Sequence, residues 1–146
     1  MGGLKEQEFT VSNIRLVRDY ATDLPEVLLD PDQIRQVFLN LINNAQDAME
    51  GPGTITLKTA RADHSVRATV ADTGKGMTTE EMEKAFFPFF TTKEVGKGTG
   101  LGLSVSLSIV EAMGGRIEVQ SLPGAGSSFT VVFPIELAEE RADEER

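Results

Sequence analysis

Between Asp30 and Met49 the apolar residues Ile34, Val37, Phe38, Leu41, Ile42, Ala45, Ala48 and Met49 return every three or four positions. That is the period of one helix face. Asp30 stands as N-cap, Pro31 fits the first helical position, Gln33 falls where a capping box places its glutamine, and Gly51-Pro52-Gly53 ends the segment. Elsewhere the period is two. "NIRLVRDYA" (Asn13 to Ala21) and "EVLLD" (Glu26 to Asp30) read as short strands around Leu24-Pro25. "TITLKTAR" and "SVRATVAD" alternate across Ala62-Asp63-His64 as a hairpin, and "RIEVQS" and "SSFTVVFPI" close the chain as strands around Pro123-Gly124-Ala125-Gly126. Thr78 with Glu81 offers a capping box for a short helix to about Ala85. "LGLSVSLSIVEAM" (Leu101 to Met113) reads as a helix stopped by Gly114-Gly115. Ahead of it, "FFPFFTTKEVGKGTGLG" has no clear period and is expected to be mobile. The pattern predicts an α+β two-layer sandwich, a mixed and mostly antiparallel sheet of about five strands covered on one face by about three helices.

Composition narrows the picture. The chain has 146 residues, 40% hydrophobic and 25% charged, which suits one domain, here residues 1–135, with an acidic tail from Glu136 to Arg146. Formal charge is -9, and the tail holds six acids against two arginines. A surface of that sign does not grip a phosphate backbone, so nucleic acid is not an expected partner. There is no cysteine, which excludes a thiolate nucleophile and a zinc-thiolate site. The start "MGGLKEQEF" lacks an apolar signal segment and no run is long enough to span a bilayer, so a cytoplasmic location is expected, with any membrane anchor elsewhere in a longer protein.

The first helix raises a question of its own. In "NLINNAQDAM" it places asparagine at 40, 43 and 44, and each costs about half a kcal/mol relative to alanine. On a 3.6-residue period Gln36, Asn40, Asn44 and Asp47 form one stripe beside the apolar face. Oxygen ligands there suit a hard cation such as magnesium; the alternative is a polar flank facing solvent. "DTGKGM" (Asp72 to Met77) closes a strand with a carboxylate able to accept from an exocyclic amine and with two glycines that let backbone approach a flat ligand. Alone, Asp-x-Gly also marks ordinary turns. "GKGTGLGL" (Gly96 to Leu103) leads glycine-rich backbone into a helix start, where exposed N–H groups attract phosphate, or it serves as a flexible hinge. It fits neither the P-loop nor the dinucleotide pattern. His64, the only histidine, sits at a hairpin tip, and nothing resembles a Ser-His-Asp set.

In this order, "NLINNA", "DTGKGM", "FFPFFTTK", "GKGTGLGL" and "GAGSSF" resemble the N, G1, F, G2 and G3 boxes of the catalytic and ATP-binding domain of bacterial sensor histidine kinases, in the GHKL superfamily with gyrase B, MutL and a heat-shock chaperone. The resemblance covers roughly Asp30 to Ile135, and "NNAQDAM" with "PFFTTK" leans toward the nitrogen-regulation-like branch. It implies an α/β sandwich holding Mg-ATP under a flexible lid. Asn44 matches the magnesium-ligating asparagine, and Asn40, one turn earlier, also faces the phosphates. Asp72 matches the acceptor of the adenine amine, with Gly74, Gly76 and Met77 beside the base. Gly98, Thr99, Gly100, Leu101 and Gly102 match the lid end and the phosphate-facing helix start, Lys93 and Lys97 are phosphate contacts, and Ser127 matches a G3 hydroxyl.

Two departures from that pattern carry information. Asp47 stands where many sensor kinases have a lysine. Asn40 stands where hydrolytic relatives place the glutamate that activates water, so the resemblance implies slow hydrolysis and transfer of the γ-phosphoryl group to another acceptor. Ser65 follows His64, unlike the His-Glu or His-Asp of a phosphoacceptor site, so the accepting histidine is expected on a separate dimerisation domain, with a response regulator downstream and this piece monomeric. The helix that usually precedes the first strand is expected to be missing or truncated. The competing readings are a GHKL serine kinase of the anti-sigma type, a non-catalytic nucleotide-binding module and, last, an ATP-driven clamp.

Overall fold

The alternation of the strands and the period of the helices settle into two layers. The structure, a computed structural model, describes residues 6–11, 13–27, 29–90 and 101–135. Its strands are β1 (Glu6–Val11), β2 (Ile14–Asp19), β3 (Gly53–Ala62), β4 (Ser65–Asp72), β5 (Arg116–Ser121) and β6 (Ser127–Pro134), and its helices are α1 (Pro31–Asp47), α2 (Thr79–Lys84) and α3 (Gly102–Ala112). They form one sheet in the order β1-β2-β3-β4-β6-β5, antiparallel throughout except for the parallel β2–β3 pair. That pair needs a crossover, which α1 supplies.

Two sequence expectations need correction. Glu26, Val27, Leu29 and Asp30 are not in a strand; Leu29 packs against the core and Asp30 is already the helix cap. The strand expected from Asn13 is shorter, because Asn13 has φ 68° and belongs to the turn from β1. That turn pairs β1 with β2, and among the described residues the sheet has six strands. The short β1 sequence "EQEFTV" alternates too weakly to stand out, and its hydrogen bonds to β2 define it instead.

The helix caps follow the side chains. Asp30 accepts from Asp32 N and Gln33 N at the start of α1, and Thr78 and Glu81 close a reciprocal capping box on α2. Val37, Leu41 and Ala45 of α1 and Val110 of α3, with Met113 at its C-cap, pack on Ile55, Val70, Phe129, Val131 and Phe133 of the sheet. Phe86 meets Phe129 edge to face, ring centres 6.3 Å apart. The other face of the sheet is polar. There Thr69 bonds Thr130, and Glu118 joins Arg67 to Arg116 across β4, β6 and β5. Val132 lies between those two arginines in register and is fully buried. No helix among the described residues is long and apolar enough to cross a membrane.

Candidate functional site

The register of β5, β6 and β4 sets Ser121 opposite Ser127 and Ser127 opposite Asp72, a polar row at the end of a face that is otherwise apolar. Asp72 is only 7% exposed. Its Oδ1 accepts from Gly74 N at 2.8 Å and Ser127 N at 3.3 Å, while no donor among the described residues reaches Oδ2. Burial raises the Asp72 pKa above the ordinary carboxylate value, and the two backbone hydrogen bonds offset this only in part. A fixed carboxylate with one unclaimed oxygen suits a donor group on a ligand.

Ser121, which the motifs did not single out, holds this row together. Its Oγ accepts from Met77 N at 2.7 Å, donates to Gly126 O at 2.9 Å and lies 2.8 Å from Ser127 Oγ. A signal for it was present, since Ser121 and Ser127 stand at the two ends of the Leu122 to Gly126 turn. Asp72, Ser121 and Ser127 also line a cavity of about 310 Å³ with Leu122, Ala125 and Gly126, together with Ala71, Gln120 and Ser128, which alternate to the other face.

The glycines of this corner also serve its packing. A Cβ on Gly74 would sit 2.5 Å from Ala48 O, one on Gly76 (φ 68°) 1.9 Å from Leu122 O, and one on Gly126 (φ 85°) 2.0 Å from Asp72 O. Their missing side chains let three backbone segments touch each other. Lys75 N donates to Ala48 O and Gly124 N to Lys75 O, so the loop after β4 is bonded to the end of α1 and to the β5–β6 turn. Met77 is half-buried and packs against the core.

The asparagine stripe divides into two environments. Asn40 Nδ2 donates to Gly102 O at 3.2 Å and to Ser106 Oγ at 3.1 Å, and its Oδ1 accepts from Gln36 Nε2 at 2.9 Å. Asn40 thus joins α1 to the first turns of α3, where Ser106 is fully buried. Asn44 is half-buried and its side chain makes no hydrogen bond to the described residues. Leu101 is the N-cap of α3 with no side-chain cap, and Ser104 Oγ donates back to Leu101 O. No side chain therefore caps the first N–H groups of that helix. Lys93, Lys97, Gly98, Thr99 and Gly100 lie outside the described residues. Among the described residues no group of three or more His, Cys, Asp or Glu side chains could hold a metal ion. An ion here would rest on amide oxygen and on oxygens of its ligand, as magnesium does with nucleotides.

This geometry has close counterparts among known proteins. The chain is 40% identical over 134 residues to sensor histidine kinase ZraS of Escherichia coli O157:H7, covering 92% of this chain and 29% of that protein. It is 39% identical to sporulation kinase E of Bacillus subtilis (97% and 19% covered) and 42% identical to the sensory histidine kinase/phosphatase NtrB of Klebsiella oxytoca (84% and 38% covered). The chain thus spans well under half the length of these relatives. In structure it is similar to the catalytic domain of the histidine kinase ThkA, with TM-score 0.70, 36% identity and 84% of this chain and 81% of that chain covered. It is also similar to full-length ShkA in complex with AMPPNP, with TM-score 0.72, 33% identity and 83% and 25% covered. Residues 29–137, most of the fold described above, match the model of the histidine kinase-, DNA gyrase B- and HSP90-like ATPases, and the chain belongs to that family.

Proposed function

We propose that this chain is the ATP-binding half of a two-component sensor kinase: it binds ATP with magnesium and passes the γ-phosphoryl group to a histidine on a separate dimerisation domain, from which a response regulator takes it. The observation that carries this reading is Asp72, whose Oδ1 is held by two backbone N–H groups while Oδ2 stays unclaimed at the end of the buried row. An acceptor so placed favours the 6-amino group of adenine over the carbonyl of guanine, which would meet it acceptor to acceptor. Asn44, with its side-chain amide unengaged, is the residue to hold magnesium, which when bound would offset charge on the phosphate oxygens. The start of α3 at Gly102, where no side chain caps the helix, places the positive end of its dipole toward the same phosphates.

In the transfer the acceptor imidazole nitrogen bonds to the γ-phosphorus as the bond to the leaving ADP oxygen breaks. The residues here position and neutralise the group and supply no base. Asn40 cannot take a proton from water, which favours a protein acceptor over hydrolysis. The fragment is expected to be monomeric, on the cytoplasmic side of any membrane, and without affinity for nucleic acid.

Titration calorimetry with ATP and GTP, with and without magnesium, on wild type and Asp72→Asn tests the pocket. ATP binding that exceeds GTP binding and collapses in the variant is the expected result; equal binding of both nucleotides would overturn it. Transfer to the matching acceptor domain then separates histidine from serine as acceptor, because phosphohistidine is lost in acid and phosphoserine survives.

A further inference from the structure

Resting on that nucleotide reading, we infer that Ser121 is a specificity-determining positioning residue that acts through Ser127: it holds the hydroxyl proton of Ser127 away from Asp72 and so keeps the free Asp72 oxygen a pure acceptor for an amine.

The argument is an accounting of hydrogens. A serine hydroxyl has one hydrogen to give and two lone pairs to receive. Ser121 Oγ has three partners: Met77 N at 2.7 Å, Gly126 O at 2.9 Å and Ser127 Oγ at 2.8 Å. Met77 N can only donate, so it takes one lone pair. Gly126 O can only accept, and its other donor, Leu122 N, lies at 3.4 Å, so the single Ser121 hydrogen goes to Gly126. The remaining lone pair of Ser121 faces Ser127, whose hydroxyl must then be the donor of that bond. With its one hydrogen committed, Ser127 approaches Asp72 only through its backbone N–H, which is spent on Oδ1.

The register shows what this arrangement prevents. Ser127 and Asp72 stand directly opposite on β6 and β4, at the separation of side chains that interact across strands. A Ser127 hydroxyl released from Ser121 stands opposite the Asp72 carboxylate, a strong acceptor. It would then occupy the oxygen that a ligand amine needs, and its own oxygen or hydrogen could meet an amine or a carbonyl alike. Ser121 makes the difference between a site that demands a donor and one that tolerates either.

The test is the ratio of ATP affinity to ITP affinity, since inosine replaces the 6-amino group by a carbonyl and leaves the ribose and phosphates unchanged. Calorimetry is run on wild type, Ser121→Ala, Ser121→Thr and the double variant Ser121→Ala/Ser127→Ala. Wild type is expected to prefer ATP, Ser121→Ala to lose about tenfold of that preference, and Ser121→Thr to keep it, because threonine retains the hydroxyl. The double variant is expected to regain preference over Ser121→Ala by removing the misdirected hydrogen. A merely structural role would weaken both nucleotides by the same factor and leave the ratio alone; that result, or a double variant no more selective than Ser121→Ala, overturns the inference while sparing the nucleotide reading. Should Ser121→Ala not fold, Ser121→Cys carries the same expectation at smaller size, its thiol being a weak donor and acceptor. Wild type that binds neither nucleotide overturns both readings together.

Discussion

Asn40 joins two helices before any ligand arrives, and a double-mutant cycle with Ser106 measures that joint. Asn40→Ala removes the donors to Gly102 O and Ser106 Oγ and the acceptor of Gln36. Ser106 is fully buried, so its hydroxyl loses its Asn40 partner in a place water does not reach, a cost of about 1–3 kcal/mol. The exposed Gln36 pair adds only about 0.3 kcal/mol. Alanine returns about 0.6 kcal/mol of helix propensity, leaving a net loss of about 1–2.5 kcal/mol. Ser106→Ala alone costs about 0.5–1.5 kcal/mol, since Asn40 keeps Gly102 O and has access to solvent. In the Asn40→Ala background the same change removes a stranded hydroxyl and costs nothing, so the two sites should couple by about 0.5–1.5 kcal/mol. Urea denaturation of the four proteins without nucleotide, followed by both far-ultraviolet dichroism and fluorescence of an extrinsic label, provides the measurement. Coupling within about 0.5 kcal/mol of zero would refute the reasoning and leave Asn40 with no structural part to play.

Two further outcomes follow from the same corner of the molecule. Gly76→Ala should cost about 2–4 kcal/mol, from a positive φ combined with a Cβ driven into Leu122 O, whereas Gly124→Ala, at φ 78° with open space around it, should cost only about 1 kcal/mol; equal losses in urea denaturation would contradict the contact. Asp72→Asn should gain stability relative to wild type as pH rises. The folded pKa of Asp72 is raised, so the native state binds more protons than the unfolded chain, and wild-type stability falls from about pH 3.8 up through the raised value, a slope the amide lacks. Thermal melts of both proteins across that range check the sign, and a gap that narrows with pH would count against it.

Most of the layer architecture was legible because each element carries its own punctuation. Asp30-Pro31, the Thr78 to Glu81 box and Gly114 mark helix ends by local chemistry, and the structure places α1, α2 and α3 there. The β3–β4 hairpin follows from alternation on both sides of a turn whose Asp63 takes φ 51°. That β1 is a strand, while Glu26, Val27, Leu29 and Asp30 are not, has one reason. "EVLLD" is more apolar than "EQEFTV", but strand formation depends on a partner edge, and β2 offers its edge to β1. The site was legible where one residue type carries the chemistry, as at Asp72. It was not where the role arises from pairing. Ser121 acquires its three partners, and Asn40 its grip on α3, only through register and helix packing, which no local spacing encodes.

The contacts of Gly74, Gly76 and Gly126 bear on how this corner can change over generations. Where a wall is built of main chain meeting main chain, its shape is written in atoms that are absent, and no compensating substitution nearby can restore it. Lys75, exposed between two of these glycines, gives its N–H to Ala48 and its carbonyl to Gly124, contacts that another side chain at that position would leave in place. A lineage can therefore recolour the outside of this corner freely, altering charge and partner contacts there, while the inner surface stays nearly fixed. Variety on one side and invariance on the other come from the same few residues of chain.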